Sequence, residues 1–205
     1  HLVLHYEDGK EQDFQMQPFD TLSGEEAFKE SLTWQIHGVY AIRNTIHQAF
    51  PYDETQKTYT DENVTHIHYL RSRKVALCSG TYFYRQRSSS VTHQVSGQRF
   101  DFLLANEQLL SLRVSDEIIA FYETKRWLNL VGLYLFYYRH RRLLSPSDRR
   151  RGLDIMHHVW ATINLSLVRP SLRRKFGYCP LRRSWLLFRL QEELYFWLRG
   201  IIKGN

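Results

Sequence analysis

Leu153, Met156, Trp160, Ile163 and Leu167 follow one another at alternating steps of three and four residues, and the series stops just before Pro170. Only an α-helix brings that spacing onto one face, so this stretch commits the chain to a helix whose apolar stripe has to be buried. The same period runs through residues 115–205. Ser115-Asp116-Glu117 supplies a capping hydroxyl and first-turn acids, and Arg139, Arg141 and Arg142 stand where a helix C-terminus favours cations. These signals predict a helix over residues 116–142, with a last sheet strand at IIAFY as the alternative for its first turns. A third helix is expected from about Leu181 to Ile202, with Pro170 and Pro180 punctuating the segment before it.

The first half reads differently. Alternation in HLVLHY, then Asp8-Gly9, then EQDFQMQ describes a hairpin, because Asp-Gly supplies the positive φ of a tight turn. Ser23-Gly24-Glu25-Glu26 is a capping box, and Phe28, Leu32, Val39, Ile42 and Ile46 continue at helical spacing up to Pro51, which predicts one long helix. Between residues 64 and 114, VTHIHYLRS, KVALCSGTYFYRQR, SVTHQV, QRFDFLLA and LLSLRV are rich in β-branched and aromatic types and are separated by short polar breaks. We read them as an antiparallel meander. The expected class is therefore α+β: an N-terminal hairpin and long helix packed on a meander, then a basic helical C-terminal half. With no long linker and no repeat, residues 1–205 form one expected domain of two sublayers, 1–114 and 115–205.

Charge is divided unevenly between these halves. Residues 1–100 carry 10 Lys and Arg against 12 Asp and Glu, whereas residues 101–205 carry 18 against 9. A field of one sign over half a chain attracts nucleic acid, acidic proteins or anionic membrane. Arg outnumbers Lys 21 to 7, which suits planar, bidentate recognition of phosphate or carboxylate. The cations concentrate in RPSLRRKFGYCPLRRSW: Arg169, Arg173, Arg174, Lys175, Arg182 and Arg183, with Phe176 and Tyr178 among them and no acid. Guanidinium and ammonium groups neutralise phosphates, and flat rings stack on unpaired bases. Gly177 would let a backbone approach closely. The other reading of this segment is a loop between helices, anchored by its own aromatics.

Thr65-His66-Ile67-His68-Tyr69, placed on a strand, would turn His66 and His68 to one face, where two imidazoles share a divalent metal. Downstream stands Tyr122-Glu123-Thr124-Lys125. Together the two motifs resemble the HUH class of nicking and replication-initiation enzymes. That resemblance implies His66 and His68 as metal ligands, Tyr122 as nucleophile and Lys125 as its electrostatic helper. The same histidines also read as ordinary residues on a solvated or partly buried strand face. His157-His158 lies on a helix, where neighbours point about 100° apart, and is read as structural. The chain has no GxGxxG, P-loop, HExxH, GxSxG or EF-hand pattern.

The last segment, SWLLFRLQEELYFWLRGIIKGN, is apolar over more than one stripe and so must enter its own core, a partner or a membrane interface. The longest apolar run, residues 127–138, is well short of the ~20 residues that a membrane span needs. Two cysteines, Cys78 and Cys179, form no disulfide framework, which suits a reducing, intracellular compartment; no signal peptide is legible at His1. The expected function is a noncatalytic RNA- or DNA-binding or assembly subunit without a cofactor, which binds nucleic acid or another polyanion through the Arg-rich half and a protein through the aromatic C-terminal helix. The alternatives are the metal-dependent nicking enzyme and a purely structural adaptor.

Overall fold

In the computed structural model of the chain, the turn and cap signals hold. Strand β1 (Leu2–Tyr6) pairs antiparallel with β2 (Glu11–Asp13) across a turn in which Gly9 takes φ 81°. After β3 (Thr21–Leu22), helix α1 (Gly24–Leu32) opens on the Ser23/Glu26 capping box. The short α2 (Asn44–Ala49), α3 (Thr60–Arg71), β4 (Val75–Ala76) and β5 (Tyr82–Gln86) complete the first half. The structure describes residues 2–203 apart from Gln15, Gln17, His37, Gly38, residues 53–57, Ser89, residues 91–93, Asn106, Arg113 and residues 181–183.

The α+β class and the helical second half are as expected, but the sheet is not a meander. β1 lies between β2 and β5, antiparallel to the first and parallel to the second, and β3 pairs antiparallel with β4. A parallel pair needs a long crossover, and the elements from β2 to β4 fill it. VTHIHYLRS, expected as a strand, belongs to helix α3, which begins with Asp61 and Glu62 in its first turn. QRFDFLLA and the first three residues of LLSLRV are helical too: a 3-10 turn at Gly97–Phe100, α4 (Asp101–Ala105) and a second 3-10 turn at Glu107–Ser111. Half of SVTHQV, residues 91–93, lies outside the described residues, and the described rest is not strand.

The expected long helix also stops early. At the end of α1 the Gln35 N–H returns to the Glu30 carbonyl and the Trp34 N–H to that of Ser31, with Trp34 at φ 62°. These are the two bonds of a Schellman cap, with tryptophan where glycine usually supplies the left-handed residue. Val39, Ile42 and Ile46 therefore only happen to continue the spacing.

Where the sequence suggests one domain of two sublayers, the structure divides between Gln94 and Val95 into two units. In the first, α1 packs on α3 so closely that a Cβ on Gly24 would overlap the Ser72 carbonyl. In the second, α5 (Asp116–His140), α6 (Pro146–Thr162), α7 (Pro170–Arg173) and α8 (Trp185–Lys203) follow the two 3-10 turns. Ser115 and Ser145 cap α5 and α6 through the N–H groups of Ile118 and Asp148. The core of this unit gathers Trp127, Leu130 and Tyr134 from α5, Met156 and Val159 from α6, and Phe188 and Phe196 from α8. No helix among the described residues is long and apolar enough to cross a membrane.

Two features of this core predict stability. A Cβ on Gly152 of α6 would overlap the fully buried Phe100 ring. Helix propensity favours Gly152→Ala by about 1 kcal/mol, whereas forcing a methyl into a filled core costs about 1–3 kcal/mol. The clash is expected to win, so denaturant titration should show Gly152→Ala to be less stable than the parent. Glu192 is fully buried on α8 between Phe188 and Phe196, and burial pushes its carboxyl up to about 7. The folded chain therefore holds a proton that the unfolded chain has released between about pH 4.5 and 7. Stability should fall as pH rises through that window, by on the order of 3 kcal/mol in total, and then level off. Thermal melts from pH 5 to 8 should show this slope in the parent and its loss in Glu192→Gln.

Candidate nucleic-acid interface

Thr124 and Trp127, one turn apart on α5, hold the two ends of the cationic segment. Thr124 Oγ1 donates to the Ala120 carbonyl and accepts the Arg169 N–H at 3.0 Å. Trp127, with no exposed surface, donates its indole N–H to the Tyr178 carbonyl at 2.8 Å. Between these anchors run the short α7 and a turn at Gly177, φ 79°. A Cβ on Gly177 would overlap the Tyr195 ring, so the protein's own core uses the close approach that the sequence suggested for a ligand.

The predicted phosphate ligands separate into two groups. Arg169, Arg174 and Lys175 are exposed and form no ion pair with a carboxylate among the described residues. Arg173 instead turns inward, with Nε donating to the Val168 carbonyl at 2.8 Å and a terminal nitrogen to that of Ser166. It staples the loop. Arg182 and Arg183 lie outside the described residues. Of the two rings, Phe176 leaves 49% of its surface in solvent and meets Tyr195 edge-on. Tyr178 packs against the core, with the Lys175 ammonium 4.9 Å from its ring centre. Burial, and after it the Arg169 charge, hold the Lys125 amine below the usual lysine range. A fifth cation therefore crowds the same end of α5.

Sequence reasoning assigned Arg139 and Arg142 only to a helix terminus, yet both are exposed, as is Arg150 on α6. Arg139 stands about 22 Å along α5 from Thr124, at 1.5 Å per residue, and Arg142 follows just past the end of that helix. That junction is partly neutralised: Arg141 Nη1 lies 2.6 Å from Glu193 Oε1, and Arg151 pairs with Asp101. The described part of the 169–175 loop has no such compensation.

His66 and His68 do not share a face. On helix α3, residues two apart point about 200° from each other, and each ring is already engaged. His66 Nδ1 lies 2.8 Å from Ser31 Oγ and Nε2 3.4 Å from Glu62 Oε1. His68 Nε2 lies 2.7 Å from the Phe50 carbonyl, which can only accept, so this nitrogen carries the proton and Nδ1 accepts from the Tyr40 hydroxyl at 2.7 Å. Burial holds His68 below the usual histidine range, consistent with that neutral form. Among the described residues, no group of three His, Cys, Asp or Glu side chains is placed to hold a metal ion.

Nor does Ser31 act as an activated nucleophile beside His66. Its hydroxyl donates to the Phe28 carbonyl at 2.8 Å, which leaves Oγ to accept from the ring. These side chains border a cavity of about 450 Å³ in the first unit, with Phe14, Trp34, Tyr59 and Tyr84 on its wall. Trp34 and Tyr59 both adopt left-handed φ, 62° and 61°, a conformation costly for bulky residues. The sequence carried no signal for this cavity, because its walls come from separate elements.

Tyr122 is buried beside a charged cluster. Arg126 Nη1 reaches Glu123 at 3.1 Å, while Nη2 reaches Thr162 at 2.7 Å and Glu107 at 3.3 Å. His158 Nε2 lies 3.2 Å from Glu107, and His157 stacks on Trp185. The Tyr122 hydroxyl has no hydrogen-bond partner among the described residues, and burial pushes its ionisation far above the usual tyrosine range. An attacking phenolate needs the opposite.

Comparison with protein-family models, curated proteins and solved structures finds no match for this chain.

Deleting an unpartnered buried hydroxyl removes a desolvation penalty of about 1–3 kcal/mol. Tyr122→Phe should therefore be as stable as the parent, or more stable, in denaturant titration. A loss of stability would mean that the hydroxyl has a partner.

Proposed function

We propose that the chain is a nucleic-acid-binding protein whose second unit grips the sugar-phosphate backbone with the loop that α5 fastens. The observation that carries this reading is the trio Arg169, Arg174 and Lys175: three exposed cations within seven residues, with no ion pair to a described carboxylate. Their charges are not committed to a described carboxylate, so phosphate contact costs no internal salt bridge; Lys175 would at most leave the Tyr178 ring. Arg182 and Arg183 add two more charges to the same stretch of sequence. Phe176 favours single strands, because only an unpaired base offers it a face.

The binding should be electrostatic first and weakly selective for sequence, since contacts to phosphate carry no sequence information. RNA and DNA are both suitable ligands on this chemistry. Arg173 acts indirectly by holding the loop's shape. A protein partner on α8 is compatible with this role because that helix presents an apolar face rather than a cationic one.

Fluorescence anisotropy with a labelled single-stranded oligonucleotide tests the reading. Three phosphate contacts give a slope of log K against log salt near −2, and five give about −3.5, at roughly −0.7 per contact. Arg174→Gln is expected to flatten the slope by about 0.7, and Phe176→Ala to weaken single-strand binding by about 1–3 kcal/mol while affecting duplex little. No binding at low salt, or binding untouched by either change, contradicts the proposal.

A further inference from the structure

Helix α8 presents two apolar faces, and the second unit's core accounts for only one of them. Phe188, Glu192 and Phe196 are buried, at steps of four, against that core. On the opposite side Leu187, Leu190, Leu194, Trp197 and Ile201 step by three, four, three and four, and each exposes between 47% and 60% of its surface. Leu186 and Leu198 widen the stripe at 61% and 36%. That alternation is the seam of a left-handed helix pair, in which each side chain inserts between four residues of a facing helix.

We propose that this face is the interface of a homodimer, formed by α8 against α8 of a second copy of the chain. Three observations select that occupant. A seam stepping by three and four fits a helix with the same steps, and α8 itself is the helix described here that carries them exposed. At roughly 100 Å² per side chain, the seven residues offer about 700 Å² per copy, close to the ~800 Å² per partner of a standard stable interface and more than a monomer ordinarily leaves bare. Finally, the flanks of the seam carry Gln191, Glu193 and Gly200; Glu193 is already held by Arg141 at 2.6 Å, so the seam itself sets no uncompensated like charges against each other.

Two heptads would be marginal as an isolated coiled coil. Here the helix is already ordered by its packing on α5 and α6, so association carries little of the usual cost of forming it. The contact is isologous, with the same patch on both copies. An antiparallel arrangement sets Trp197 against a leucine rather than against its own copy and opposes the two helix dipoles.

Light scattering on the full chain, from about 1 to about 100 µM, covers the weak end of the affinities that interfaces of this size show. The parent is expected at twice the chain mass. Leu190→Glu combined with Leu194→Glu should weaken the dimer at least about 100-fold while leaving far-ultraviolet circular dichroism unchanged, since neither residue enters the core. Trp197→Gln with Ile201→Gln is a second, uncharged pair with the same expectation. A parent that is monomeric at 100 µM overturns the proposal, including one that instead sediments with phosphatidylglycerol vesicles. So does a dimer that survives both double changes. Loss of helix signal in both variants also overturns it, because it would mean that the face is covered within the chain.

Discussion

The indole N–H of Trp127 donating to the Tyr178 carbonyl is the contact on which the role proposed for the second unit depends. Trp127 is completely buried in the middle of α5, so its position is fixed by the core, and its one polar atom points at backbone that the loop would otherwise have to satisfy with water. With Thr124 holding the Arg169 N–H one turn away, the loop is attached by main chain at both ends. Its backbone is thereby fixed while Arg169, Arg174, Lys175 and Phe176 stay exposed. A cationic loop held this way loses little conformational entropy when an anion arrives, which is what distinguishes a binding surface from a merely charged tail.

Much of the second unit was legible because its signals are local. Ser115, Ser145 and Pro146 start helices where such residues start them, and the stripe through Leu153, Met156 and Trp160 faces the core it forecast. The first unit was less readable for identifiable reasons. Val64, His66, Ile67, His68 and Tyr69 are all buried, so the middle of α3 had few solvent-facing positions to give its pattern a period, and its β-branched and aromatic residues imitate a strand. Residues 97–105 and 107–111 fold into helical pieces of four or five residues, too short to show periodicity at all. The end of α1 was hidden by Trp34, which occupies the left-handed position where a glycine would have announced the stop.

The candidate site was readable as composition but not as geometry. The segment around residues 169–175 stood out by charge alone, yet nothing in it separated Arg173, whose fork closes on two carbonyls, from the exposed Arg174. Likewise Phe176 and Tyr178 look equivalent in sequence, and only packing makes the second an anchor. The paired histidines illustrate the converse. Their spacing had chemical meaning on a strand and loses it on a helix, where Ser31, Tyr40 and the Phe50 carbonyl satisfy both rings.

Ultraviolet crosslinking of the intact chain to a single-stranded oligonucleotide, followed by peptide mapping, tests most directly whether this fastened loop is the contact surface. The account predicts adducts within residues 169–178, centred on Phe176. Adducts confined to the α5–α6 junction at residues 139–150, or to the first unit, would contradict it.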